Sequence, residues 1–524
     1  MSVTAPDAIP AAAQAPPSPV PVSPASVSLT PAAWLNFLST QLDAQWAACQ
    51  TPDAYYNGQH KLAFATAKFR EAFSRFFPPL ANNWMKLVVD APVSRLRVLG
   101  FRFDPDPAQP GWEQDADAEA WAIWQASNFD AVSDQVHTEA VKLGVAYALV
   151  QPPLTPGGQP IITGEHPSQC YVYVNPSNPR QRLAGIKRWV SELDGYAYAT
   201  LYLPDRLYNW RSASKWQQGR QIQWTQNVPQ PVIANPIGVV PLVAIENNPD
   251  MIYGGRSDLE PAIPIQDAIN KFCLDMQVSG EFHAFPQRWA TGWERGFDPQ
   301  GRELTGREVE IQVGQTRFLR AESPDTKFGQ LSPGDVNNYL APLDMYVDHL
   351  AAITQTPVYY LKGKMANLSA DAMHAADQGL VDRCNKKITG FSDGWEDVIR
   401  VAFLAKGDQR RGNATSAEVI WADPESKSLM VVAQAAVMMR QTLDVPLEMC
   451  WELLGWSPQK IQQARALLEQ EKEQAQAEVE PTAAPWEALP NGALLFNQQQ
   501  TNAGQQLGVS PTGGNNLPQS NQVV

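Results

Sequence analysis

Cysteine is sparse in this sequence. The five residues, Cys49, Cys170, Cys273, Cys384 and Cys450, are scattered, odd in number and without paired spacing. That excludes a disulfide scaffold and a thiolate zinc site, and implies a reduced, cytosolic chain. The six histidines are equally dispersed, so no metal site is expected. Basic residues are outnumbered, 40 Lys and Arg against 54 Asp and Glu, for a net charge of −14. The basic stripe of a protein that grips nucleic acid is therefore missing. A conduit is a different case, because tight phosphate contacts would hold still a polymer that has to slide. Residues 1–30 contain no Lys or Arg, which excludes the basic start of a signal peptide, and their Pro, Ala, Ser and Val content reads as a disordered arm. No apolar run reaches the length of a membrane span. Catalytic signatures are lacking too: there is no P-loop followed by Lys and Ser or Thr, and no Gly-x-Ser-x-Gly elbow. No cofactor is implied, and no enzymatic activity.

What is present fits a large folded protein: 524 residues with 44% apolar content, enough for several domains. Helix is expected over 32–48 and through much of 59–89, where Phe69, Phe73, Phe76 and Phe77 fall at core spacing. A strand over 95–103, two helical patterns over 115–143 and a strand over 145–150 follow. Then come β-type runs at 170–174, 183–190, 196–203, 207–211, 221–225 and 239–245. The basic cluster Arg180, Arg182, Lys187 and Arg188 reads as solvated hairpin edges that discourage strand-to-strand aggregation, with a contact to a partner protein as the alternative.

The centre of the chain is organised around two helices. The first follows Tyr253-Gly254-Gly255-Arg256, with Ser257 and Glu260 spaced as a capping box and regular helix expected from about Pro264. Its apolar face is Ala262, Ile265, Ile269, Phe272, Cys273 and Met276, and its wet face Asp267, Asn270, Lys271, Gln277 and Glu281. The second is expected over 332–354, with Val336, Leu340, Leu343, Val347 and Leu350 as a seam and Pro342 marking a kink or break. Asp344 and Asp348 lie four apart on another face and, with no His or metal-ligand partner nearby, read as a wet face and not as an acid/base pair. Residues 258–283 hold five acids against Lys271 alone, and 334–356 add three acids and no base, so both wet faces are acidic. Between the helices, 285–331 carries short β-type runs at 288–291, 309–313 and 317–319, and its seven basic and seven acidic residues balance. Beyond them one long helix, or two abutting ones, is expected over 369–405, with Ser369 as N-cap and Gly379 and Gly390 as the places to bend. A strand at 418–421 and helices over 427–478, broken at Pro446 and Gly455 to Pro458, complete the pattern.

Several motifs in order carry a resemblance. They are Tyr55-Tyr56-Asn57-Gly58-Gln59; the run 82–101 ending Arg95-Leu96-Arg97-Val98-Leu99-Gly100-Phe101; Gly255-Arg256-Ser257-Asp258-Leu259; Ala284-Phe285-Pro286-Gln287-Arg288; Thr354-Gln355-Thr356-Pro357; and Asn367-Leu368-Ser369-Ala370-Asp371-Ala372 before a helix ending near Trp395. In order and spacing over residues 30–475 the chain resembles the portal proteins of tailed bacteriophages, in the branch found in siphophages of actinobacteria. The resemblance implies an α+β multidomain portal fold that forms a ring of roughly twelve copies at one capsid vertex. It also implies these parts: a disordered arm (1–30), an α+β wing (31–256), a first stem helix (257–284), a β-containing clip (285–331), a second stem helix (332–357), a tunnel loop (358–368), a return to the wing (369–415), a helical crown (416–480) and a disordered tail (481–524).

The implied function is a channel through which DNA is packaged by the terminase motor and later ejected, and on which the head–tail connector assembles. Implied partners are further copies of the chain, the terminase large subunit, adaptor or neck proteins, major capsid and scaffold proteins, and double-stranded DNA passing without sequence-specific binding. The place implied is the virion, after assembly in the host cytoplasm. Lys362, Gly363 and Lys364 would face DNA in the tunnel loop, Asp267, Glu281, Asp344 and Asp348 would line the stem, and Arg295, Arg302, Arg307 and Glu308 of the clip would meet terminase or adaptor. Against this stand two open alternatives: Lys362 and Lys364 as ordinary surface lysines, and the whole chain as a non-enzymatic helical adaptor or minor virion protein that is not a channel. On the channel reading, removing the acidic character of Asp267, Glu281, Asp344 and Asp348 makes the bore adhere to DNA, and unchanged packaging and ejection by that variant would count against it.

Overall fold

A computed structural model describes residues 29–60, 82–104, 112–252, 254–284, 288–291, 300, 302, 327–330, 336–363, 370–425, 427 and 429–479. Residues up to Gln462 belong to one unit and those from Gln463 to a second, whose described part continues a helix to Val479.

The first helix, α1 (Pro31–Tyr56), is set by local chemistry. Thr30 accepts a hydrogen bond from the Ala33 N–H, and Pro31 occupies the first helical position, where no donor is needed. The helix runs past the expected end at residue 48, through Pro52. Leu35, Leu38 and Leu42 form its buried stripe. After it come α2 (Trp84–Val93), β1 (Val98–Arg102), α3 (Trp112–Ala126), α4 (Phe129–Leu143) and β2 (Val145–Gln151). Phe69, Phe73, Phe76 and Phe77 lie outside the described residues.

Eight further strands follow: β3 (Ile161–Glu165), β4 (Cys170–Asn175), β5 (Asn178–Val190), β6 (Tyr196–Tyr202), β7 (Arg206–Lys215), β8 (Trp224–Thr225), β9 (Val232–Ala234) and β10 (Leu242–Glu246). Among the described residues all strand pairing is antiparallel. One sheet has the order β10-β2-β3, and a second runs β4-β5-β6-β7-β8 with β9 beside β7. Strand β2 is buried on both faces, and period-two alternation distributes its side chains. Ala146, Ala148 and Val150 enter the largest apolar core, which includes β1, α2, α3 and α4. Val145, Tyr147 and Leu149 enter a smaller one with Cys170, Tyr202, Val240 and Leu242. The α1 stripe closes a third core over Ala184, Ile186, Ala199, Leu201 and Trp210.

The basic cluster on β5 is not solvated, contrary to expectation. Arg182 pairs with Asp397 at 2.9 Å, Lys187 with Glu165 at 2.6 Å, and Arg188 with Asp43, leaving only Arg180 exposed. These cations tie the sheet to its neighbours.

The middle of the chain holds α5 (Ile263–Ala284), a two-stranded ladder of β11 (Arg288–Thr291) and β12 (Lys327–Gln330), a 3-10 turn (Val336–Tyr339), α6 (Leu340–Thr354) and the short α7 (Val358–Lys362). Pro342 stands in the first turn of α6, where its missing N–H leaves no hydrogen bond unmade, so the expected break takes the form of a change from 3-10 to α geometry. The expected seam is buried at Val347 and Leu350, whereas Leu340 is exposed. The runs at 309–313 and 317–319 lie outside the described residues. The chain then continues through α8 (Ala370–Lys406), α9 (Gln409–Gly412), β13 (Glu418–Trp421), α10 (Leu429–Leu443), α11 (Leu447–Leu453) and α12 (Pro458–Val479). Helix α8 runs unbroken for 37 residues through Gly379 and Gly390, where bends were expected. β13 pairs with β1, returning the chain to its beginning.

Two backbones cross where the platform hands over to α5. The Asn247 N–H donates to the Gly144 carbonyl at 2.8 Å, and the Arg256 N–H donates to the Asn247 carbonyl at 2.7 Å. A Cβ on Gly255 would lie 2.0 Å from the Gly144 carbonyl oxygen, so only glycine fits. Gly255→Ala is expected to destabilise the fold by about 1–3 kcal/mol or more, read as a lowered unfolding midpoint. Unchanged stability would show that the crossing is not constrained.

Candidate functional site

The turn between β10 and α5 delivers Asp258 into the protein interior. The Asp258 N–H donates to the Val141 carbonyl at 3.1 Å. Its carboxylate accepts from Arg383 Nε at 3.0 Å, Lys387 Nζ at 2.7 Å, Asn247 Nδ2 at 2.9 Å and Asn248 Nδ2 at 2.7 Å. The side chains are 4% exposed for Asp258, 8% for Arg383 and 0% for Lys387. Arg383 reaches further: Nη1 donates to the Thr354 carbonyl at 2.7 Å and Nη2 to the Val88 carbonyl at 3.0 Å. A single guanidinium on α8 thus clamps the approach to α5, the end of α6 and the body of α2.

Burial alone would raise the Asp258 carboxyl, but the Arg383 and Lys387 cations bring it down to about 2. Burial, with Arg383 close by, pushes the Lys387 ammonium down to about 8 against the pull of Asp258. Two cations share one carboxylate, and the carbonyl oxygens of Thr354 and Val88 with Asn247 Oδ1 accept from their other N–H groups.

Thr354 to Pro357 is the C-terminal cap of α6. Gln355 adopts the left-handed conformation (φ 50°), the Thr356 N–H returns to the Ala351 carbonyl at 3.0 Å, and Thr354 Oγ1 donates to the Leu350 carbonyl at 2.7 Å. Pro357 then opens α7, which is held from two sides. Arg95 donates to Tyr360 Oη at 3.0 Å and to Asp377 at 2.9 Å, while the Tyr359 hydroxyl donates to the same Asp377. Burial and Asp377 both raise the Tyr359 hydroxyl, so it stays protonated. α7 ends at Gly363 (φ 62°), around which there is open space.

Lys362 closes the arrangement. Its ammonium lies 2.8 Å from Asp348 and 3.4 Å from Asp344 on α6, and the bond to Asp348 raises its pKa. The lysine expected in a loop and the two acids expected on a stem wall therefore pair within a single chain, leaving one net negative charge.

The other end of α1 is bonded to α5 through Tyr55. The Tyr55 hydroxyl donates to Asp267 at 2.6 Å, and the Tyr55 ring stacks on His60. His60 Nδ1 meets Asn270 Nδ2 at 2.8 Å, and Gln266 donates to the Asn82 carbonyl at 2.6 Å while accepting from the Trp84 N–H. Asn83 caps α2 and also holds the Tyr56 carbonyl.

The expected wet face of α5 is corrected at Asn270, and its described acids are engaged by neighbours. Asn270 is buried, bonded to His60 and Gln266. Asp267 serves Tyr55, Asp275 pairs with Lys271, Glu260 pairs with Arg256, and Asp258 is interior. The expected capping box does not form. Ser257 instead donates to the Lys142 carbonyl and accepts from the Leu259 N–H, a turn that precedes the helix. Glu281 falls within α5, and Arg302 is exposed. Lys364, Arg295, Arg307 and Glu308 lie outside the described residues. Arg383, Lys387, Asn247 and Asp377 were given no role from sequence. A signal existed for two of them: Arg383 and Lys387 interrupt the stripe Leu380, Cys384, Phe391, where charge is out of place on a buried helix face. Among the described residues no group of three or more His, Cys, Asp or Glu could hold a metal ion, and no helix is long and apolar enough to cross a membrane.

Set beside known proteins, residues 35–477 match the family described as phage portal protein, SPP1 Gp6-like. The chain is 28% identical to the portal protein of Mycobacterium phage D29 over 74% of this chain and 79% of that protein. It is 29% identical to the portal protein of Mycobacterium phage L5 over 68% and 71%. A solved structure titled as the neck of a native GTA particle, computed with C12 symmetry, is similar at 12% identity and TM-score 0.38, covering 71% of this chain and 88% of that one, a likeness too loose to argue from.

Asp258→Asn keeps the shape of the cluster but strands two buried cations, and is expected to cost about 3–5 kcal/mol. Adding Lys387→Met should return part of that loss, a coupling that a double-mutant cycle reads. The depressed carboxyl also sets a pH dependence. Its stabilising contribution is complete above the ordinary value of 3.8 and disappears as pH falls through about 2. Acid unfolding of the wild type should therefore steepen in that window and that of Asp258→Asn should not; additive single losses, or equal acid slopes, would remove Asp258 from the centre of the cluster.

Proposed function

Because this chain belongs to the SPP1 Gp6-like phage portal protein family, matched over residues 35–477, we propose the following parts for the ring-shaped channel it forms. The protein is structural and carries no catalytic activity. It makes the portal through which DNA is packaged and later ejected, and it is a component of the virion. The observation that carries this reading is the extent of the family match, which runs from α1 into α12.

The α+β platform before Asp258 is the wing, α5 and α6 are the stem, the segment between them is the clip, α7 and the residues after Gly363 are the tunnel loop, and 416–480 is the crown. Terminase large subunit and neck proteins would meet the clip, where Arg295, Arg302, Arg307 and Glu308 lie. Capsid and scaffold proteins surround the wing, and assembly takes place in the host cytoplasm. The clamp supports these assignments by its position: a channel under load needs its stem helices fixed to the wing at their roots, and Arg383 joins both roots to α8.

The electrostatic role differs from that of a uniformly acidic tube. Asp344 and Asp348 carry two charges and Lys362 returns one, so each copy offers DNA a weakly negative wall whose cation is already engaged. DNA phosphate would have to compete with two carboxylates for it. Such a surface neither holds the polymer nor strongly repels it.

Co-expressed with its scaffold and major capsid proteins, the chain is expected to enter particles as one closed ring of about twelve copies, counted by native mass spectrometry after release and seen as a ring with a central hole by electron microscopy. Particles that package DNA while holding the chain only as monomer or dimer would overturn the channel reading.

A further inference from the structure

Helix α10 (Leu429–Leu443) is apolar nearly all round. Of its fifteen residues only Arg440 is charged. A helix of that composition is normally enclosed, yet this one is covered along a single narrow side. Ala436 is buried, and Val432, Ala433 and Ala435 are half-buried. Seven of its apolar side chains are exposed, Leu429, Met439 and Leu443 among them, and the other four fall into two flanks.

Met430 and Val437, 70% and 52% exposed, lie seven residues apart on one flank. Val431 and Met438, 60% and 66% exposed, lie seven apart on another. At 3.6 residues per turn the flanks are separated by roughly 100°, with the exposed Gln434 and Gln441 between them. Each pair has the spacing of a helix–helix seam.

Two different seams on one helix match the demand of one kind of assembly. A two-fold dimer uses a single self-complementary patch, whereas a ring of rotated copies needs two unlike patches on every chain, each meeting the other on a neighbour. Charge points the same way. Copies with a net charge of −14 repel one another, and neither flank carries an ionised group, so two chains can approach here without bringing acid against acid.

The geometry points to the α10 flanks as a contact between copies of this chain: Met430 and Val437 of one copy pack against Val431 and Met438 of the next, closing a belt of α10 helices. This rests on the ring reading above and adds to it where each chain holds its neighbours outside the stem.

The test mixes two full-length variants, Val437→Cys in a tagged chain and Met438→Cys in an untagged one, assembles them together, and treats the product with a short bismaleimide. The five native cysteines are buried and do not compete, and both altered positions are exposed, so the fold is undisturbed. The expected result is a cross-linked pair of one tagged and one untagged chain from mixed rings, with none from rings of either variant alone. Intact mixed rings that yield no such pair would overturn the α10 contact and leave the channel reading standing. Cross-linking within either variant alone would mean that like positions face each other, and would overturn it too. Failure of the wild type to form rings would remove the channel reading, and this contact with it.

Discussion

The architecture depends on one buried electrostatic contact, the carboxylate of Asp258 between Arg383 and Lys387. Taking three charges out of water is costly, and their attraction offsets that cost only when every remaining donor finds an acceptor. Here the acceptors are backbone carbonyls at Thr354 and Val88 and the side chain of Asn247. Such a cluster adds little net stability compared with packed apolar groups. What it supplies is uniqueness of position, because a movement of α8 away from Asp258 would leave the charges buried and alone.

The other contacts in the region extend that fixation outward. Arg95, Asp377, Tyr359 and Tyr360 seat α7, Lys362 then reaches back to α6, and Tyr55 and His60 brace the flank of α5. Exposed pairs such as Lys362 with Asp348 each contribute little to stability. Their value is directional, since they orient a short helix that apolar packing alone would let rotate. The strength of attachment falls from the buried cluster toward the glycine that ends α7, which suits a rigid mount carrying a movable edge.

Much of the fold was legible in the sequence where periodicity was unambiguous. Strands β2 and β4 to β7 follow from alternation, and the breaks at Pro446 and Gly455 follow from backbone chemistry. β3 was missed because Gly164 and Glu165 dilute its short apolar run. Gly164 is there because the Val132 and Val136 side chains press against it, a tertiary fact with no local trace. β12 was missed for want of its partner, β11, which lies 36 residues away. The site was legible in its motifs and not in its mechanism. Asp258, Thr354 and Arg95 were each noticed as parts of ordered segments, yet their convergence on α8 is a property of the fold. The wet-face reading of α5 failed at Asn270 because a polar residue facing a polar partner is indistinguishable, in sequence, from one facing water.

The pairing of β1 with β13 carries a consequence for the order of events during synthesis. More than three hundred residues separate Val98 from its partner Trp421, and a ribosome adding about 5–20 residues per second needs tens of seconds to make them. Through that interval β1 is without its strand partner, while the two central helices and everything between them are made. The ladder is therefore a late event in synthesis: a chain cut short before β13 lacks the strand that pairs with β1.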